Sequence, residues 1–420
     1  MRMPKILLAA ALVAGLLTGC SARTELTVLG PWSGAEEQSF RAVFAAFEAE
    51  HNVTIDYIGT PAVNQVLQAD VQKGQPPDVA VLTSPGELAR YATTGGLRKI
   101  AGVSDVEYSQ QWRTLLRLGT PDLYAVPVKA DLKSIVWYNA KNPPSPVPST
   151  WQGLLDYTAK VKPAWCLGME AYSTSGWPGT DWIEDILLHQ AGPDVYGEWA
   201  GGKLSWQSDE VRAAWTTWGQ LLAAQGAPGQ RTAALLTYFG DAGKQMFAKN
   251  PGCFLDHQGS FATGSYPENA AYDFFPFPSI GPTPQASEVS VNLAGQFADN
   301  PLAADFMAYL AGAKAQAVWP ARQDSSAFSV NQRVLTTSVY RGPVSQRIAQ
   351  VLASAQQQRQ KLCLDASDVM PAAMADAFSR AVLEFLGDPD RLPDILSGLD
   401  YVRTGLARPA GQAELAEPCS

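Results

Sequence analysis

Histidine is nearly missing from this chain, with three in 420 residues, and cysteine is sparse at five. Their spacings match no zinc-binding pattern, so no metal site and no cofactor is expected. Cations are outnumbered, 31 Lys and Arg against 40 Asp and Glu, for a net charge of −9. Without a basic face to neutralise phosphates, a nucleic-acid partner is not expected. Beyond residue 20 no apolar run is long enough to span a bilayer. No Gly-x-Ser-x-Gly elbow announces a nucleophile. The chain also lacks internal repeats and low-complexity tracts. With 46% hydrophobic and 17% charged residues it has a globular composition and the length for two ordinary domains.

Aromatic residues are abundant instead: 12 Trp, 14 Tyr and 15 Phe. Rings in such number, with few cations, suit flat apolar ligand faces such as those of sugars, although large rings also fill cores.

Residues 1–19 read as a targeting segment, with Arg2 and Lys5 ahead of an almost wholly apolar run from Ile6 to Leu17. Leu17-Thr18-Gly19-Cys20 resembles a bacterial lipobox, which implies cleavage before Cys20 and lipid on it. The mature chain is then expected outside the cytoplasm, tethered to the membrane, where disulfides persist. Cys166, Cys253, Cys363 and Cys419 remain, an even number that suggests two bridges with three possible pairings.

The stretch from Leu123 to Tyr138 organises the rest. Tyr124, Val126 and Val128 form one β-prone run and Ile135 to Tyr138 another. Lys129, Asp131 and Lys133 fall between them, three charges where one buried strand should have none. Either the chain crosses here from one domain to another, with the charges lining a cleft, or a β-hairpin turns on a charged tip.

Before this stretch strand and helix alternate. Strands are expected at residues 26–29, 53–58 and 78–82. A helix with Phe40, Val43, Phe44 and Phe47 on one stripe follows the first, capped by Ser33 or Ser39, with Glu36 and Glu37 near its positive end. Another begins at Ser84-Pro85-Gly86-Glu87, a capping box with Pro at the first helical position. This pattern defines an α/β unit with a mainly parallel sheet. Ligands of such sheets bind beyond the carboxyl ends of the strands, where residues 30–34, 83–85 and 129–131 are expected as loops. Trp32 is the large aromatic of the first loop.

After a proline-rich connector at residues 142–150, Trp165 to Met169 should form a strand leading to Glu170. The small, polar segment 173–182 presents Trp177 and Trp182, and Thr180 and Asp181 are placed to cap a helix over 183–190. Hydroxyls, a carboxylate and two indoles suit a sugar, or else the rings pack on the core. Asp256, His257, Gln258 and Ser260 stand at the mouth of a strand ending near Phe261. His257 is read as a hydrogen-bond partner before a base. Residues 271–277 form an aromatic strand, 288–297 return across the cleft, and the tail is helical.

Three segments together resemble the family 1 extracellular solute-binding proteins of bacterial ABC importers, the maltose-binding type. They are Pro77-Asp-Val-Ala-Val-Leu82 with Tyr91-Ala and Gly95-Gly-Leu97; Leu123 to Tyr138 with Ser149-Thr-Trp151; and Val369-Met-Pro-Ala-Ala-Met-Ala-Asp-Ala-Phe378. Pro31-Trp-Ser-Gly34, the run from Trp177 to Trp182 and His257-Gln-Gly-Ser-Phe261 resemble the α-glucoside-binding subgroup. The resemblance covers nearly the whole mature chain. It implies a type II periplasmic-binding-protein fold: two α/β lobes on a hinge, closing over a small carbohydrate that is delivered to the permease subunits. The protein is expected to be monomeric. Family boundaries place 20–130 and 287–330 in lobe one, and 131–286 and 331–420 in lobe two. All four mature cysteines then share lobe two, and Cys166–Cys253 with Cys363–Cys419 is the favoured pairing.

The ligand-binding set implied is Trp32, Glu36, Asp78, Ser84, Lys129, Asp131, Glu170, Trp177, Asp181, Trp182, His257, Gln258, Phe261 and Asn292. Asp131 sits where the family has an acidic hinge residue, and Phe261 where a stacking aromatic is expected. Leu82-Thr83-Ser84-Pro85 departs from the family's often polar strand end, leaving open which lobe-one group meets the first ring. A polyol, amino sugar or other polar osmolyte is the alternative ligand. A glycosidase using Glu170 and Asp131 would need their carboxyls ~5–9.5 Å apart and is the remotest reading.

Overall fold

The computed structural model describes residues 24–224, 228–323, 325–335, 338–356, 361–406, 415 and 417–419. The targeting segment and Cys20 lie outside the described residues.

Two sheets carry the chain, and the organising stretch passes from one to the other. The first sheet contains β1 (Thr24–Gly30), β2 (Val53–Gly59), β3 (Val79–Leu82), β4 (Ala125–Leu132), the long β9 (Ala286–Gln296) and β10 (Lys361–Leu364). The second contains β5 (Ile135–Asn139), β6 (Trp165–Cys166), β7 (Leu255–His257) and β8 (Tyr272–Pro276), in the order β6-β7-β5-β8. β4 pairs with β9, whereas β5 pairs with β7 and β8, so the hairpin alternative does not form. The change of sheet takes two residues, Lys133 and Ser134.

The strand runs further than its apolar residues suggested. Lys129 and Asp131 lie on β4, opposite Asn292 and Ser290 of β9, instead of in a loop. A buried strand tolerates them because they pair with each other, as described below.

The first sheet is mixed. β1 pairs parallel with β2 and β3, and β10 with β9, while β9 runs antiparallel to both β3 and β4. Residues 361–364, expected with the second lobe, are therefore part of the first sheet. The helix Gly34–His51 buries the stripe Phe40, Val43, Phe44 and Phe47 as its spacing requires. Ser33 precedes it without a side-chain capping bond. At Pro85–Thr93 the capping bond forms, Ser84 Oγ accepting from the Glu87 amide at 3.1 Å.

In the second half the segment 173–182 is more helical than its glycines and proline suggest. The helix begins at Trp177 and runs to Ala191, so Thr180, Asp181 and Trp182 sit inside it instead of capping it. Pro178 is tolerated because the first turn needs no amide donor there. Gly176 allows the entry, at φ 106°, and a β-carbon on it would lie 2.2 Å from the Ser379 carbonyl oxygen. That helix and Ala372–Gly387 pack closely because the glycine permits it.

Both disulfides join the favoured partners. Cys166–Cys253 ties β6 to the segment entering β7, and Cys363–Cys419 ties β10 to the end of the chain.

Candidate functional site

β1 delivers Trp32 just past its carboxyl end. The ring is buried, edge-on to Phe40 and to Trp319, both at 4.8 Å. Tyr57 fixes the turn by accepting from the Trp32 amide at 3.2 Å and donating to its carbonyl at 3.0 Å. The backbone passes so close that a β-carbon on Gly59 would lie 2.0 Å from the Trp32 carbonyl oxygen.

Lys129 reaches from β4 to this aromatic group. Its ammonium is 5.8 Å from the Trp32 ring centre and 5.4 Å from that of Trp319. It pairs with Glu36 at 2.8 Å and Asp131 at 3.4 Å. Burial alone would pull the Lys129 ammonium down, but Asp131 and Glu36 beside it hold it above its usual value. Burial raises the Asp131 carboxyl against the pull of Lys129. Ser260 then links the sheets: its hydroxyl donates to Asp131 at 3.0 Å and accepts from the Leu132 amide at 3.2 Å.

Next to Ser260, Phe261 begins a second aromatic group. It lies 5.7 Å from Trp177 and 6.4 Å from Phe239, both half-buried. The Lys133 ammonium faces Trp177 at 5.1 Å and Phe261 at 5.7 Å. Tyr238 adjoins Phe239, and its hydroxyl is raised by partial burial and by nearby Tyr172, Glu170 and Glu36. A continuous strip results: rings from the first sheet, then Glu36, Lys129, Asp131 and Ser260, then rings packed on the second.

Trp32, Glu36, Lys129, Asp131, Trp177 and Phe261 thus come together. Asn292 joins them from β9 as the register partner of Lys129. Glu170 borders the strip, accepting from the Tyr172 amide at 2.7 Å. The other expected residues are engaged elsewhere. Asp78 immediately precedes β3, at the opposite strand end from Trp32, and accepts from Thr27 and Asn300. Ser84 donates to the Asp368 carbonyl at 2.8 Å. Trp182, expected to be exposed, is a core residue against Trp165 and His257, at 4.6 and 4.4 Å. His257 Nε2 pairs with Asp185 at 2.8 Å. Gln258 donates to Asp256. Asp181 is buried against Lys133 at 2.7 Å.

Sequence reasoning missed Trp319, Phe239 and Tyr238, which adjoin the strip only through folding; no local motif marks them. Lys133 had a signal, a charge inside an apolar stretch, but was not counted with the ligand set.

The two sheets joined through β4 and β9, with this strip at their junction, define the maltose-binding type of two-lobed periplasmic binding protein. The bacterial solute receptor AcbH, whose structures show an exclusive preference for β-D-galactopyranose, superimposes with a TM-score of 0.79 at 17% identity, over 91% of this chain and 99% of that one. Residues 32–317 match the family model of the bacterial extracellular solute-binding proteins, and the chain belongs to that family, in its sugar-type ABC-importer branch. It is 31% identical over 390 residues to the alpha-glucosides-binding periplasmic protein AglE of Rhizobium meliloti (strain 1021), covering 86% of this chain and 83% of AglE. It is 28% identical over 396 residues to the osmoprotective compounds-binding protein GgtB of Synechocystis sp. (strain ATCC 27184 / PCC 6803 / Kazusa), covering 89% and 91%. These relatives are binding proteins, not enzymes, and they place the protein outside the cytoplasm.

Proposed function

We propose that the protein binds an α-glucoside or small oligosaccharide along the strip and delivers it to an ABC permease, held at the membrane by lipid on Cys20. The observation that carries this is the order of groups: apolar rings, a charged hydrogen-bonding centre, apolar rings. A sugar offers apolar ring faces and a belt of hydroxyls, and carboxylates are the stronger acceptors for hydroxyls. Asp131 and Glu36 are the acceptors, Lys129 a donor, and Trp177 and Phe261 the stacking faces. The likeness to AglE supports the α-glucoside.

Two lobes divide on this reading at residues 133–134 and 277–285, where the chain passes between the sheets, and again after β10, beyond which the helix Ala372–Gly387 returns to pack on Trp177–Ala191. Closure about those passages is the signal read by the permease. The likeness to GgtB favours a second reading, an osmoprotective polyol-type solute in the same strip.

A thermal-shift screen with trehalose, sucrose, maltose, maltotriose, polyols and amino sugars tests both. A ligand at ~100 times its dissociation constant adds about 2.7 kcal/mol of stability. A shift with an α-glucoside supports the first reading, a shift confined to polyols the second, and no shift with any of them refutes both. Phe261→Ala is expected to weaken the identified ligand about tenfold through lost stacking area. Asp131→Asn should cost roughly 1.5–3 kcal/mol of binding, measured by titration calorimetry. An unchanged affinity in both variants would remove the strip as the site.

A further inference from the structure

Behind the strip, at the change of sheet, carboxylates gather in the interior. Lys133 bridges Asp181 at 2.7 Å and Asp365 at 3.0 Å. Glu288 arrives on β9 with no exposed surface, and neither of its carboxylate oxygens meets a hydrogen-bond partner among the described residues. The second oxygen of Asp181, Oδ1, is likewise buried and unpartnered. Leaving such groups unmatched costs several kcal/mol, so something must balance them.

One oxygen from each of Asp181, Glu288 and Asp365 lies within 4.8 Å of the other two. We propose that these three carboxylates bind a divalent cation in the buried junction between the sheets, and that the ion is Ca2+. Glu184 and Asp368 adjoin the group, and burial together with neighbouring acids raises both, like Glu288 itself, well above the usual carboxylate range. The donors are all hard oxygens, with no thiolate and no imidazole among the three, which selects Ca2+ or Mg2+ over Zn2+ or Cu2+. Ca2+ binds oxygens at about 2.3–2.6 Å, so ligands on opposite sides of it stand up to roughly 5 Å apart; Mg2+, at about 2.0–2.1 Å, draws them to roughly 4 Å. Oxygens within 4.8 Å of one another leave room for the larger ion. An extracytoplasmic chain also meets Ca2+ at the ~0.1–1 mM for which extracellular modules are tuned.

The ion would join β9, the helix Trp177–Ala191 and the turn after β10 at one point. Three segments that meet near the passages between the sheets would thereby be fixed to one another.

The test uses the purified protein stripped with EDTA. At ~1 mM Ca2+ the melting temperature should rise by a few degrees, and by less with Mg2+. Terbium, a Ca2+ substitute, should show emission sensitised by the indole of Trp177, whose ring centre lies 5.1 Å from the Lys133 ammonium that bridges Asp181 and Asp365, and Ca2+ should quench it by displacement. Glu288→Gln keeps the shape and removes a charge. It should shift the Ca2+ dependence at least ~10-fold to higher concentration and abolish most of the terbium signal. The terbium measurement on the natural sequence needs no variant to fold. Absence of both the thermal response and the terbium signal would overturn the site, as would a signal unchanged in Glu288→Gln. An Mg2+ response equal to that of Ca2+ would overturn the choice of ion.

Discussion

Replacing Lys133 with Met is expected to cost about 3–5 kcal/mol of stability in metal-free buffer near neutral pH, read from urea unfolding. The apolar part of the side chain is preserved, so the loss is electrostatic. Lys133 is buried, and its partners Asp181 and Asp365 are buried as well. Burial alone would lower its pKa, but Asp181, Asp365 and Glu288 hold it well above the ordinary lysine value, the mark of an ammonium the fold needs charged. Burial already pushes Asp181 up to about 6 with Lys133 present. Without the ammonium the carboxyls rise further and take up protons more readily on folding. The deficit of the variant should therefore shrink as pH falls from 8 to 5. A deficit below ~1 kcal/mol, or one that does not change with pH, would show that Lys133 is not the counter-ion of this group.

Asp256→Asn is expected to act in the opposite direction at alkaline pH. Asp256 is fully buried on β7, and burial pushes its carboxyl up to about 7 despite bonds from Gln258 and Tyr266. An unfolded Asp titrates near 3.9. Between those values the folded chain binds more protons than the unfolded one, so the contribution of Asp256 to stability declines as pH rises from about 4 to about 7. Three pKa units amount to ~4 kcal/mol of penalty in the fully ionised fold. Asparagine carries no charge to bury. Relative to the natural sequence, the variant should gain roughly 3 kcal/mol between pH 5 and pH 8, and unfolding free energies at the two values measure it. A constant difference would show that Asp256 titrates normally.

The early part of the first sheet, through β3 and the helix after it, was legible because each of these elements declares itself locally. Phe40, Val43, Phe44 and Phe47 mark one helix, Ser84 and Glu87 another, and short β-branched runs the strands between. The passage at Lys133 and Ser134 was legible from charge alone, as a discontinuity in an apolar stretch. What misled was the same signal read too narrowly. Lys129 and Asp131 neutralise each other inside a strand, and only their side-chain geometry reveals it. Trp177-Pro-Gly-Thr-Asp-Trp182 reads as a loop from its breakers, yet proline and glycine in a first turn do not stop a helix. Trp182 turned inward because a helix in contact with both a sheet and other helices has almost no outer face. The carboxylate group at the junction has no sequence signature, since Asp181, Glu288 and Asp365 come from distant segments.

The last residues of the chain do more than close a disulfide. β10 is the outermost strand beside β9, and an outermost strand offers unpaired amides and carbonyls to any passing chain. Here Cys419 bridges Cys363 in antiparallel fashion, and the Leu364 amide donates to the Pro418 carbonyl at 2.8 Å. The tail thus shields that rim from sticking to neighbouring copies, and the sulfur bond keeps the shield in place. Colloidal behaviour is thereby linked to redox state: in an oxidising space the rim stays covered, and a reductant would bare the strand that invites self-association.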